Sequence, residues 1–107
     1  MSKDLEKAKE LLKSGKFAHV LCKGDQFFVS YETGTEPLAD WARGGITITG
    51  GAAASKVITK KSIAFYLMLE VKEVYAPVIG NAARESLEKS GIKCYCESVI
   101  CRVRRDF

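Results

Sequence analysis

The sequence predicts an α/β protein of three layers, with helices on both faces of a mixed sheet of four to five strands. Three observations predict it. An early hairpin signal requires an antiparallel strand pair. Two late strand-like runs flank a helical pattern, and such a unit pairs in parallel through a right-handed crossover. An amphipathic helix at the start supplies cover for one sheet face. The 107 residues suit a single domain, 1–107, large enough to bury a core without disulfides or a metal. A basic tail begins at about residue 100.

The first helix follows Ser2. Leu5, Ala8, Leu11 and Leu12 recur at helical spacing, acids lie early and Gly15 closes the pattern. F-A-H-V-L-C-K from Phe17 to Lys23 reads as a strand, Gly24-Asp25 as a two-residue turn and Q-F-F-V-S-Y as the returning strand. Glu36 to Arg43 reads as a short helix, with Pro37 in its first turn and Gly44-Gly45 after it. Ile46 to Ile48 is a short extended connection. The Ala-rich stretch from Ala52 is expected to open a second long helix running to about Leu69. Glu73 to Val78 reads as a buried strand. Asn81 is expected to cap a third helix closed by Gly91, and Ile92 to Val99 is the last strand.

Residues 49–61, T-G-G-A-A-A-S-K-V-I-T-K-K, come close to the phosphate-binding G-x-x-x-x-G-K-[ST]. The match fails where chemistry needs it. Ser55 stands in place of the second glycine, and Val57 has no hydroxyl for Mg²⁺. A weaker anion site stays open. Helix starts offer free N–H groups at the carboxyl ends of strands, and two are expected, after Gly50-Gly51 and at Asn81. Lys56 and Lys60, four apart on the expected helix, would repel each other and oppose its dipole. A bound anion would relieve both effects; otherwise the two simply face water.

Other constellations are thin. His19 alone in a strand reads as structural or solvent-facing. Cys94, Cys96 and Cys101 form C-x-C-x4-C, which lacks the usual zinc-knuckle spacing and a fourth ligand, so no metal and no cofactor is expected. Nothing brings a cysteine to His19 as a nucleophilic pair. No two carboxylates stand out as an acid–base couple. The net charge of +4 is weak for a nucleic-acid partner, and Arg102, Arg104 and Arg105 read as a solvated tail. The opening is amphipathic rather than signal-like and no apolar run is long enough to span a bilayer, so the expected location is the cytoplasm.

The chain resembles the domain of unknown function 1893 family, small prokaryotic proteins. The likeness lies in Gly34 with Pro37-Leu38, in G-G-A-A-A-S-K-V-I-T-K, and in V-Y-A-P-V-I-G-N-A-A with L-E-K-S-G-I. Lys56, Val57 and Lys60 match the family pattern, while Ser55 replaces an Asp and Thr59 a Gly. The resemblance implies a cytidine-deaminase-like fold. Zinc deaminases carry H-x-E or C-x-E and P-C-x-x-C at two helix starts. The stretches A-A-A-S-K and P-V-I-G-N hold none of those ligands, so zinc deamination is not expected.

Two functions follow as expectations. One is binding of a nucleotide-like or other small anion by Gly50, Gly51, Ser55, Lys56, Lys60 and Asn81. The other is a non-catalytic module that self-associates as a homo-oligomer through Phe27, Phe28, Trp41 and Tyr66, although four such aromatics more often form core. Single-stranded nucleic-acid binding through the arginines and aromatics is a weaker third.

Overall fold

A computed structural model of the chain describes residues 1–100. The elements run α1 (Lys3–Lys13), β1 (His19–Lys23), β2 (Gln26–Ser30), α2 (Glu36–Arg43), β3 (Ala52–Ser55), β4 (Val57–Ile58), α3 (Lys60–Leu69), β5 (Glu73–Gly80), α4 (Asn81–Lys89) and β6 (Lys93–Ile100).

The six strands fill five lanes. Ala52 to Ala54 pair with Glu73 to Tyr75, and Val57 and Ile58 pair with Val78 and Ile79 at the same offset. β3 and β4 are therefore one lane interrupted at Lys56. The interruption faces Ala76-Pro77. Proline has no N–H to donate, so a ladder through Pro77 cannot close. The lane order is β2, β1, β3/β4, β5, β6. β1 is antiparallel to both neighbours, and the lanes from β3 to β6 are mutually parallel.

Helices cover both faces. Leu5, Ala8 and Leu12 of α1 pack on Val20, Cys22, Ala52, Ala54 and Tyr75. On the other face α2, α3 and α4 enclose Leu21, Ala53, Ile58, Val74 and Ile79. The two clusters alternate along β1, β3 and the first half of β5, as a two-sided buried strand requires. The three layers and the mixed sheet agree with the sequence.

One expectation fails. Ala52 to Ser55 form a strand, and the helix begins only at Lys60. Alanine favours helix by a few tenths of a kcal/mol per residue over most alternatives, but this stretch is the central lane and is wholly buried. Three alanines there let helices approach the sheet from both sides, and tertiary packing overrides propensity. The glycines before it serve a turn rather than a helix start. Gly50 has φ +77°, and a Cβ on Gly51 would lie 2.7 Å from the Cys22 carbonyl oxygen and 2.9 Å from that of Ile48. Gly51 is thus the residue that lets the turn run against β1. Gly80, not Asn81, is the N-cap of α4. The other boundaries fall within two residues of the sequence reading, and α2 coincides with it.

Candidate functional site

A buried polar chain joins three elements through the sheet. His19 on β1 pairs in register with Ser55 on β3. Its Nδ1 lies 2.8 Å from Ser55 Oγ, and its Nε2 lies 2.6 Å from the Gly34 carbonyl oxygen. Ser55 Oγ is 2.6 Å from the Tyr66 hydroxyl on α3. One proton arrangement satisfies every atom. Nε2–H donates to Gly34, Nδ1 accepts from the Ser55 hydroxyl, and Ser55 accepts from Tyr66. This is neutral imidazole. Burial lowers the His19 pKa below its usual value, opposed by the Gly34 hydrogen bond. Burial pushes the Tyr66 phenol up, against the pull of Ser55. Gly34, with φ +87°, turns its carbonyl inward as most residues could not.

The chain resembles a nucleophile and base, but Ser55 and Tyr66 are fully buried. A serine with no exposed surface and both hydrogen-bonding roles filled cannot attack a substrate. Outside His19 lies a recess of about 30 Å³, lined by Ala18, His19, Thr33, Gly34, Lys56 and Val57. It has room for about one water. The arrangement locks the loop before α2 to the sheet. No local pattern signals it, because its partners lie 36, 15 and 11 residues apart.

The predicted ligand-binding residues divide into separate places. Gly50 and Gly51 sit where β3 begins. Lys60 opens α3 where β4 ends, roughly 25 Å away along the lane. Ser55 is inside the core. Lys56 is exposed at the lane break, and its N–H bonds the Ala18 carbonyl. It shares no helix face with Lys60. Lys60 and Asn81 do come together, because Ile58 and Ile79 are register partners on parallel neighbours. The starts of α3 and α4 consequently lie side by side at the carboxyl end of the sheet. They differ in how they are closed. Ser62 Oγ reaches back to the Thr59 N–H at 3.4 Å in a loose capping box, whereas α4 begins at Gly80 with no side-chain cap.

The cysteines at Cys94 and Cys96 point to the α4 face, against the larger core. Burial first, then the neighbouring Cys96, pushes the Cys94 thiol up to about 11, so it is no ready nucleophile. Among the described residues no three His, Cys, Asp or Glu side chains converge as metal ligands. Both ring nitrogens of His19 are taken. Cys101 and the arginines Arg102, Arg104 and Arg105 lie outside the described residues. No helix among the described residues is long and apolar enough to cross a membrane.

This lane order and helix cover are shared with a solved protein. The crystal structure of a DUF1893 family protein, TM1506 from Thermotoga maritima, superposes with a TM-score of 0.82. The match covers 96% of this chain and 71% of that one at 19% identity, a likeness of fold. The class is therefore a mixed α/β domain with a buried polar lock and two adjacent helix starts. A family model described as a domain of unknown function, DUF1893, matches residues 7–104, and the chain belongs to that family. No curated protein matches it.

Proposed function

We propose that the chain binds a small, nucleotide-like or other anionic ligand at the adjacent starts of α3 and α4. Lys60 and Lys61 supply positive charge, Asn81 supplies an amide, and the first turn of α4 supplies backbone donors. The observation that carries this reading is the pairing of Ile58 with Ile79. It sets two helix starts side by side at the carboxyl ends of parallel strands, the general ligand position of open α/β sheets. The missing side-chain cap on α4 leaves its amides for an outside acceptor. Gly50, Gly51 and Ser55 take no part. Lys56 lies along the same lane, at the break before β4 and well short of the helix start.

The same placement supports a cytidine-deaminase-like arrangement, since zinc deaminases carry their ligands at two successive helix starts. The stretches to compare are then Thr59 to Ser62 and Gly80 to Ala83, not A-A-A-S-K. They read T-K-K-S and G-N-A-A, again without His, Cys or Glu. Lysines in that position suit a bound anion rather than a metal.

Thermal unfolding with inorganic phosphate and nucleoside monophosphates tests the reading. Saturation at ten times Kd adds about 1.4 kcal/mol, or a midpoint rise of roughly 5–10 °C for a domain of this size. The rise should vanish in Lys60→Ala, Lys61→Ala protein. An equal rise in that variant, or none in the parent with any anion, sinks the proposal.

A further inference from the structure

The free edge of β2 is an undefended strand. Among the described residues it pairs only with β1. Gln26–Ser30 contains no charge and no proline, the usual protections of an exposed edge. The hairpin register shows which groups face outward. Lys23 and Gln26 close a two-residue turn, and such a closing pair exchanges both its hydrogen bonds. Gln26, Phe28 and Ser30 therefore turn their N–H and C=O toward β1, as the bond from Ala18 N–H to the Ser30 carbonyl shows. Phe27, Val29 and Tyr31 turn theirs outward.

The same three residues carry exposed side chains on the α1 face, at 43%, 39% and 70%. α1 packs on β1, β3 and β5 and leaves β2 uncovered. A shallow groove of about 510 Å³ remains, lined by Lys7, Glu10, Leu11 and Phe27. Toward the other end of β2, Phe17 packs on Tyr31 with tilted rings 5.2 Å apart, and exposed Lys16 adjoins Phe17. Lys7 is engaged at the hairpin turn, where its ammonium donates to the Gly24 carbonyl. This face of β2 thus has Glu10, beside Lys7, at its Phe27 end and Lys16 at its Tyr31 end.

We infer that the occupant is a second copy of this chain, paired antiparallel through β2 about a two-fold axis at Val29. That axis sets Phe27 of each copy opposite the partner's Tyr31, and Val29 against itself. All three pairs are of the kind that exchange two hydrogen bonds, and each buries apolar surface that is now wet. The same rotation brings Glu10 toward the partner's Lys16. One operator satisfies backbone, apolar and charged groups together, as an isologous interface must. An unrelated strand could take the backbone bonds, but Glu10 and Lys16 at opposite ends of this face fit this chain's own reverse.

Analytical ultracentrifugation of the whole chain tests the inference. The parent should sediment as a dimer at micromolar concentration, with Phe27, Val29 and Tyr31 amides protected from hydrogen exchange as dimer forms. Val29→Lys sets like charges on the axis and should weaken dimerisation at least ~100-fold with circular dichroism unchanged. Glu10→Lys should weaken it by about 10-fold, and Lys16→Glu in the same chain should restore it. A parent that stays monomeric at millimolar concentration, a dimer indifferent to Val29→Lys, or a charge reversal without rescue overturns the inference.

Discussion

The two faces of the sheet hold their polar groups by opposite means. On the α3 face His19, Ser55 and Tyr66 form a neutral chain with no exposed hydroxyl. On the α1 face the groups are ionic, with Glu97 at the margin and Glu73 nearly enclosed. Ser2 N–H and hydroxyl donate to Glu73 at 3.1 and 2.7 Å, and Glu97 accepts from the Tyr75 phenol and from Lys13. A neutral chain escapes the desolvation of a buried charge, but one lost member strands the others. An ion at the margin, as Glu97 is, keeps water as a substitute partner. The comparison predicts that single changes are severe on one face and mild on the other.

Ser55→Ala should be the most damaging. It strands the Tyr66 hydroxyl and the His19 Nδ1 in the core, each at about 1–3 kcal/mol. A loss of roughly 2–6 kcal/mol in urea unfolding is expected. A loss below about 1 kcal/mol would show that the chain is not a lock. The loop around Gly34 should also exchange its amides faster in this variant, because His19 no longer has a fixed ring to hold it.

Acid should attack the two faces in different windows. His19 has a lowered pKa in the fold, so its contribution is complete above the unfolded imidazole value, about 6.5. It is lost as pH falls from there through the folded pKa, because the unfolded chain takes a proton that the fold refuses. The slope approaches about 1.4 kcal/mol per pH unit. His19→Gln should flatten this window. Glu73 acts lower. Burial opposes its charge, but the Ser2 hydrogen bonds and nearby positive groups outweigh burial and hold its carboxyl below the usual range. Its contribution is complete above the unfolded carboxylate value, about 4.3, and is lost as pH falls through the folded pKa. Glu73→Gln should remove that second decline, at about 1–2 kcal/mol near neutrality. Overlapping pH profiles for parent and either variant would refute the assignment.

The contrast also explains what the sequence could and could not tell. α1, α2 and the hairpin are local: Ser2, Pro37 and Gly24 act within a few residues of themselves, so pattern was enough. β3 is not local: A-A-A-S is helical by propensity and extended only through its place between β1 and β5. The polar lock joins residues far apart in sequence, and a lone histidine looks idle until its partners are known. Of the four aromatics that could be contact or core, Tyr66 is core, and Phe28 packs with Trp41, partly buried. Phe27 alone of the four is well exposed. Strand alternation separates Phe27 from Phe28, but which side lacks a helix depends on where α1 docks.

The mildest change should be Lys13→Ala. Lys13 Nζ lies 2.9 Å from Glu97, but both side chains are half exposed, and such pairs add little because water replaces the partner. The unfolding midpoint should not move measurably, and added salt should leave parent and variant equally stable. The Tyr75 phenol supplies a sharper readout. Burial, and then its hydrogen bond to Glu97 with that carboxylate's charge, push it up to about 12. None of these causes is Lys13. Ultraviolet titration of the variant should still find a phenol near that value, whereas Glu97→Gln should bring it down. If Lys13→Ala alone lowered the phenol or unfolded the chain, the ionic face would be a coupled lock like the neutral one, and the distinction between the two faces would fall.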